Sequence, residues 1–113
     1  MQAEKESKTQ IPGFVGDIVS RILETISPEK ILLFGSHTTG NASDDSDVDL
    51  LIIMNTELRP AERQRMVSRL LYPRFKPLDI VVKTPEEIKA AQKRVDPFIH
   101  EILQEGIVLY ARS

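Results

Sequence analysis

Cysteine and tryptophan are both absent from the 113 residues of this chain. Without cysteine, the protein can form no disulfide bond, no thiolate metal site and no cysteine nucleophile. Aromatic residues make up only 5% of the chain, so the predicted core consists mainly of Ile, Leu and Val. The lack of cysteine also fits a reducing compartment, and we expect the protein to be cytoplasmic.

Long apolar runs and an excess of positive charge are also missing. A run such as Leu50 to Met54 is far too short to span a bilayer. The first residues alternate in charge at Glu4, Lys5 and Glu6, unlike a secretory signal. The net charge is −2, so no global positive field attracts nucleic acid. We therefore expect neither a membrane nor a nucleic acid as partner.

The hydrophobic pattern predicts one small domain. Residues 1–12 are expected to form a flexible tail, and residues 13–113 a single domain, because this length supports one hydrophobic core. Apolar periodicity and Gly or Pro breaks predict the elements in this order: a helix from Phe14 to about Pro28, strand 30–34, loop 36–46, strand 48–54, helix 59–71, strand 78–83, helix 85–95, helix 97–105 and strand 107–110. The run Thr84-Pro85-Glu86-Glu87 predicts the start of helix 85–95, with a cap residue, a proline at the first helical position and acidic residues in the first turn. The order of elements predicts an α/β (α+β) fold with a small mixed sheet and helices packed mainly on one face.

The most informative stretch is acidic. Four aspartates fall within residues 44–49, and their mutual repulsion calls for a compensating cation. Asp47 and Asp49 are two residues apart at the start of a strand, so their side chains point to the same face. Asp79 lies within another apolar strand, where an aspartate is disfavoured. If the two strands are neighbours, three carboxylates converge and can hold Mg²⁺ or Mn²⁺.

These acidic residues also have simpler interpretations. Asp44 and Asp45 are typical of a solvated turn. Asp79 could instead pair with a nearby arginine. Asp47 and Asp49 are harder to explain in this way, because both directly precede the apolar run on one face of its strand.

A second motif lies before the aspartates. The predicted strand 30–34 ends at Gly35 and Ser36, where backbone N–H groups at a helix start and a hydroxyl could bind an anion. Gly40 would let the chain turn back toward the acidic strand. Ten residues separate Ser36 from Asp47, enough for a tight crossover between adjacent strands.

Together these motifs resemble the signature of the nucleotidyltransferase superfamily, which shares the DNA polymerase beta fold. The likeness includes Gly35-Ser36, the Asp47-Val48-Asp49-Leu50 strand and Asp79 on a later strand. It extends over about residues 14–110 and is nearest to the minimal nucleotidyltransferases, which consist of this domain alone.

The resemblance implies roles for the matching residues. The nucleotide would be bound by Gly35, Ser36, Gly40 and Ser46, and the catalytic metal ligands would be Asp47, Asp49 and Asp79. The expected reaction uses Mg²⁺ or Mn²⁺ and transfers a nucleoside monophosphate, as AMP from ATP, to a hydroxyl group. Relatives of this kind pair with a small helical HEPN protein in toxin–antitoxin modules, so the expected acceptor is a hydroxyl of such a partner.

One departure leaves alternatives open. Many relatives carry arginine in the loop after Gly-Ser, whereas this chain has His37, Thr38 and Thr39. An alternative is therefore an antitoxin that neutralises a HEPN-type toxin by binding, with little or no catalysis. A third possibility is transfer to a small molecule such as an aminoglycoside. Because the chain has no separate acceptor-binding domain, a partner chain or a second copy could supply that surface.

The segment from Arg59 to Lys76 is rich in basic residues. Helical spacing places Arg65 and Arg69 away from the apolar side, and Arg59 and Arg63 nearer to it. We interpret this stretch mainly as a solvated helix face, with contact to phosphates or a partner as the alternative for Arg59 and Arg63.

Overall fold

The computed structural model describes residues 11, 13–35, 38, 47–72 and 78–112. The elements within these ranges are α1 (Gly13–Thr25), β1 (Lys30–Phe34), β2 (Val48–Ile53), α2 (Pro60–Leu70), β3 (Leu78–Lys83), α3 (Pro85–Lys93), α4 (Pro97–Glu105) and β4 (Ile107–Ala111). The strands form a sheet in the order β3-β2-β1-β4. Strands β2 and β3 are parallel, and β1 is antiparallel to both β2 and β4. The predicted fold class, with a small mixed sheet, is confirmed.

Each face of the sheet buries its own hydrophobic cluster. On one face, α1 and α2 pack on strand residues such as Leu33, Leu50 and Ile52. On the other face, α3 and α4 pack on Leu32 and Leu51. The order of elements predicted helices mainly on one face, whereas the described helices pack as one pair on each face. The reason is that β1 and β2 are apolar at successive positions, so both faces must be covered.

The start of α3 follows its sequence signals. Thr84 is the N-cap, its hydroxyl accepts a hydrogen bond from the Glu87 amide at 3.1 Å, and the Glu87 carboxylate accepts one from the Thr84 amide at 2.9 Å. Pro85 occupies the first turn. This reciprocal arrangement satisfies backbone donors that a helix start leaves unpaired, and it confirms the predicted cap.

Arg63 of α2 is buried, although the sequence pattern predicted a solvated helix face. Its residue is only 6% exposed, and its guanidinium makes two hydrogen bonds to the Glu87 carboxylate, at 2.8 and 3.1 Å. It also donates to the carbonyls of Leu58 and Val82. Arg63 therefore joins α2 and β3 to the start of α3. Because these contacts occupy its guanidinium within the protein, the role of Arg63 is structural. The sequence had suggested either a solvated helix face or contact with phosphates or a partner.

The turn between α3 and α4 contains a strained residue. Val95 has φ of +54°, in the left-handed region that β-branched residues avoid, and its side chain is largely exposed. We expect Val95→Gly to raise the free energy of unfolding by about 1 kcal/mol, measured by urea denaturation, because glycine adopts this conformation without strain. Val108→Gly, on the exposed side of β4, is the control and should lower it. Equal losses in both variants would contradict the prediction.

No helix in the described ranges is both long and apolar enough to cross a membrane.

Candidate functional site

Two of the three predicted acidic ligands lie directly opposite each other. Asp49 of β2 pairs in register with Asp79 of β3, so both side chains belong to the same face of the sheet. Neighbouring strands are about 4.8 Å apart, a separation that one divalent cation can bridge. Asp49 is half-buried and Asp79 is exposed, so a ligand can approach from solvent. The condition set by the sequence, that the two strands be neighbours, is therefore met.

Asp47 is the third aspartate of the predicted set, but it does not form a closed cluster with the other two. It is exposed and immediately precedes β2, and strand alternation assigns it to the same face as Asp49. Within residues 13–35, 47–72 and 78–112, no three acidic, His or Cys side chains are close enough together to hold a metal ion. The donor set nevertheless suits Mg²⁺, which prefers carboxylate oxygens. The three-aspartate metal site stays a prediction.

Gly35 is positioned against the acidic pair. It has φ of +85° and follows Phe34, the residue of β1 that pairs with Asp49. A Cβ at this position would overlap Oδ2 of Asp49 and would lie 3.1 Å from its Cγ. Both the backbone conformation and the space therefore require glycine. The turn after β1 and the first carboxylate of the site are packed directly on each other.

Thr38, three residues after Gly35, is hydrogen-bonded back to it. Thr38 is in helical conformation, and both its amide and its hydroxyl donate to the Gly35 carbonyl, at 3.0 and 2.7 Å. This agrees with the predicted loop or short helix after the glycine. The other predicted nucleotide-binding residues lie outside the described part of the chain: Ser36, Gly40 and Ser46.

A cavity of about 290 Å³ lies beside this turn, a feature that the sequence analysis did not identify. It is lined by Phe34, Gly35, Thr38, Phe98, Glu101, Ile102, Glu105 and Gly106. Phe34 and Phe98 meet edge to face, with ring centroids 5.7 Å apart. The signal was present in α4, where the spacing of residues 98, 101, 102 and 105 places them on one side of a helix.

The arrangement resembles known proteins. A family described as "Polymerase beta, Nucleotidyltransferase" matches residues 17–113. A crystal structure of a proposed nucleotidyltransferase from Sulfolobus solfataricus has a TM-score of 0.62 at 22% identity, covering 88% of this chain and 78% of that one. No curated protein shows significant sequence similarity to the chain.

Toxin–antitoxin structures share the fold as well. A toxin–antitoxin crystallised with AMP-PNP has a TM-score of 0.62 at 19% identity, covering 87% of this chain and 73% of that one. A mutant of the toxin–antitoxin MntA–HpeT has a TM-score of 0.59 at 16% identity, with the same coverage. At these identities the likeness concerns the fold alone.

Proposed function

Because the chain belongs to the polymerase beta nucleotidyltransferase family, we propose that it transfers a nucleoside monophosphate from a nucleoside triphosphate to a protein hydroxyl. The observation that carries this proposal is the packing of the Gly35 turn on Asp49, which is itself in register with Asp79. A turn able to hold phosphates thus directly adjoins two carboxylates able to hold Mg²⁺.

In this proposal Asp47, Asp49 and Asp79 hold Mg²⁺, which supplies charge stabilisation for the attacking and leaving oxygens. Asp79, which is exposed on the edge strand β3, accepts the proton of the acceptor hydroxyl. The acceptor oxygen then forms a bond to the α-phosphorus, the bond to the β-phosphate oxygen breaks, and pyrophosphate leaves. Gly35 and Ser36, with Gly40 and Ser46 in the same nucleotide-binding set, orient the triphosphate for this in-line displacement.

The proposed biological role is that of an antitoxin acting on a partner toxin. Support comes from the shared fold with the toxin–antitoxin structures, one of which contains AMP-PNP. A HEPN-type helical toxin is the partner that the sequence resemblance implied. A surface contributed by that partner would help to hold the acceptor hydroxyl at the site.

A second candidate is an antitoxin that acts by binding alone. The observation in its favour is the loop after Gly35, where His37, Thr38 and Thr39 replace the arginine of many relatives. Without a fixed cation the triphosphate would be held less firmly. The two candidates differ in whether the aspartates are needed for neutralisation of the toxin.

Calorimetric titration of ATP tests the proposal. We expect binding in Mg²⁺, and none in EDTA or in the Asp47→Asn, Asp49→Asn variant, because both the metal and its ligands are needed to hold the triphosphate. The control is Asp17→Asn, Glu24→Gln, which removes two charges from exposed positions of α1 and should bind ATP normally. ATP binding that survives the loss of both aspartates would rule out the proposed metal site.

Neutralisation of the toxin separates the two candidates. A variant that folds and binds the toxin but has lost both aspartates should fail to protect cells if transfer is the mechanism. Full protection by the same variant would favour the binding antitoxin, and transfer would then not be the function.

A further inference from the structure

The cavity beside Gly35 lies next to the proposed site on the same face of the sheet. Phe34 lines it and pairs across the strands with Asp49, so their side chains share a face. One strand spacing, about 4.8 Å, separates these two positions. A nucleotide whose α-phosphate is held at Asp49 could therefore place its nucleoside over Phe34. This step rests on the proposed function.

The polar side chains in the described part of the cavity lining are hydrogen-bond acceptors. Carboxylates are acceptors when ionised, and Glu101 and Glu105 supply two of them. The Thr38 hydroxyl donates its hydrogen to the Gly35 carbonyl, so toward a ligand it can act only as an acceptor. The Gly106 amide is likewise used, by the Ile102 carbonyl. No Lys or Arg is among the described residues of the lining, so the α4 wall, which carries both carboxylates, disfavours phosphate and leaves the phosphates to the Gly35 turn.

The size and the walls of the cavity suit a flat group. Its volume of about 290 Å³ is at the lower end for ligand pockets, which begin at about 300 Å³, so it fits one ring system better than a whole nucleotide. The wall formed by Phe98 is half-exposed, and an aromatic face stacks on any nucleobase. Ile102 supplies a buried apolar floor.

We propose that this cavity, between the Gly35 turn and α4, binds the nucleobase of the substrate and selects a base with an exocyclic amino group. The ring stacks on Phe98, and the amino group donates to the carboxylates of Glu101 and Glu105. Adenine meets both requirements. The proposal thus assigns nucleotide choice to α4, an element that carries none of the predicted phosphate or metal ligands.

The first test compares ATP with purine riboside triphosphate, which has hydrogen in place of the 6-amino group. Calorimetry in Mg²⁺ should show about tenfold tighter binding of ATP, because a hydrogen bond to a charged acceptor is lost in the analogue. Glu101→Gln, Glu105→Gln should reduce that ratio severalfold and leave the affinity for the analogue nearly unchanged. The control Asp17→Asn, Glu24→Gln should keep the full ratio. Equal binding of the two nucleotides by the wild-type protein would overturn the proposal.

A second test does not depend on the metal site. Adenosine alone, titrated into the isotope-labelled protein, should shift the NMR signals of Phe34, Phe98 and Ile102, and purine riboside should shift them less. Phe98→Leu should weaken both nucleosides alike, since stacking is lost for each. This pattern would support the cavity even if ATP fails to bind through the aspartates, so the two proposals can fail separately.

A cationic occupant is the competing interpretation of the acidic lining, and the same experiment tests it. N-acetylargininamide is the probe for a guanidinium group. If it shifts the cavity signals in a Glu101- and Glu105-dependent manner while adenosine leaves them unchanged, the cavity is a cation site and the nucleobase proposal is wrong.

Discussion

Arg63→Met is expected to lower the free energy of unfolding by about 3 kcal/mol, the lower end of the cost of breaking a buried ion pair. The guanidinium is almost fully buried, whereas the Glu87 side chain is 37% exposed, so water can partly replace the lost partner. The carbonyls of Leu58 and Val82 would also lose their donor. Urea denaturation measures the change.

Two variants serve as controls for this prediction. Arg65→Met removes the same functional group from an exposed position of α2 and should change stability by less than about 0.5 kcal/mol. Arg63→Lys keeps the charge but loses the paired geometry, so it should fall between wild type and Arg63→Met. A loss from Arg63→Met no larger than that from Arg65→Met would contradict the role given to the pair.

The ion pair between Arg63 and Glu87 also makes the stability of the folded protein depend on pH. The side-chain hydrogen bonds from Arg63 lower the pKa of Glu87 from its ordinary value of 4.5, although burial opposes them. A carboxyl group whose pKa is lower in the folded protein contributes stability at pH values above its ordinary pKa. That contribution is lost as the pH falls through the lowered pKa. The stability difference between wild type and Glu87→Gln should therefore shrink on acidification below about pH 4.5.

Gly35→Ala is expected to lower the free energy of unfolding by about 2–3 kcal/mol and to abolish Mg²⁺-dependent ATP binding. The alanine would be strained at positive φ, and its Cβ would displace the Asp49 carboxylate. Denaturation and calorimetry measure the two effects. Gly16→Ala is the matched control, because this glycine lies inside α1 with open space around it. That variant should gain about 0.5–1 kcal/mol.

A double-mutant cycle tests the physical cause of the loss. If the overlap with Asp49 accounts for part of it, Gly35→Ala should cost less in an Asp49→Ala background, where the overlapping atoms are gone. The strain of the backbone would remain. Strictly additive losses would show that the contact between Gly35 and Asp49 does not constrain the turn.

The sequence was most informative where a local pattern determines the structure. The apolar runs of β1 and β3 predicted both strands with the bounds that the structure has, and the Thr84-Pro85 pair predicted the start of α3. The placement of helices on both faces was missed, although the run from Ile31 to Phe34 has no polar side. Periodicity shows that a strand is buried, but which helix covers it depends on the chain's path.

Local sequence patterns also predicted the outline of the candidate site. Spacing alone predicted that Asp47 and Asp49 share one face, and the apolar setting of Asp79 marked it as unusual. That its strand lies beside β2 was a condition of the prediction, which the structure fulfils. The close contact of Gly35 with Asp49 could not be read from the sequence, because it depends on the antiparallel register of β1 and β2. Arg63 was misjudged because its partner, Glu87, is distant in sequence and had already been assigned to a helix start.

Strand β1 lies between β2 and β4, and these neighbours differ greatly in distance along the chain. β2 is the next strand along the chain, whereas two strands and three helices of the described chain separate β1 from β4. Pairings between distant segments form slowly. During synthesis on the ribosome we therefore expect one edge of β1 to stay open until Ile107–Ala111 emerges, and an unpaired strand edge favours misassembly.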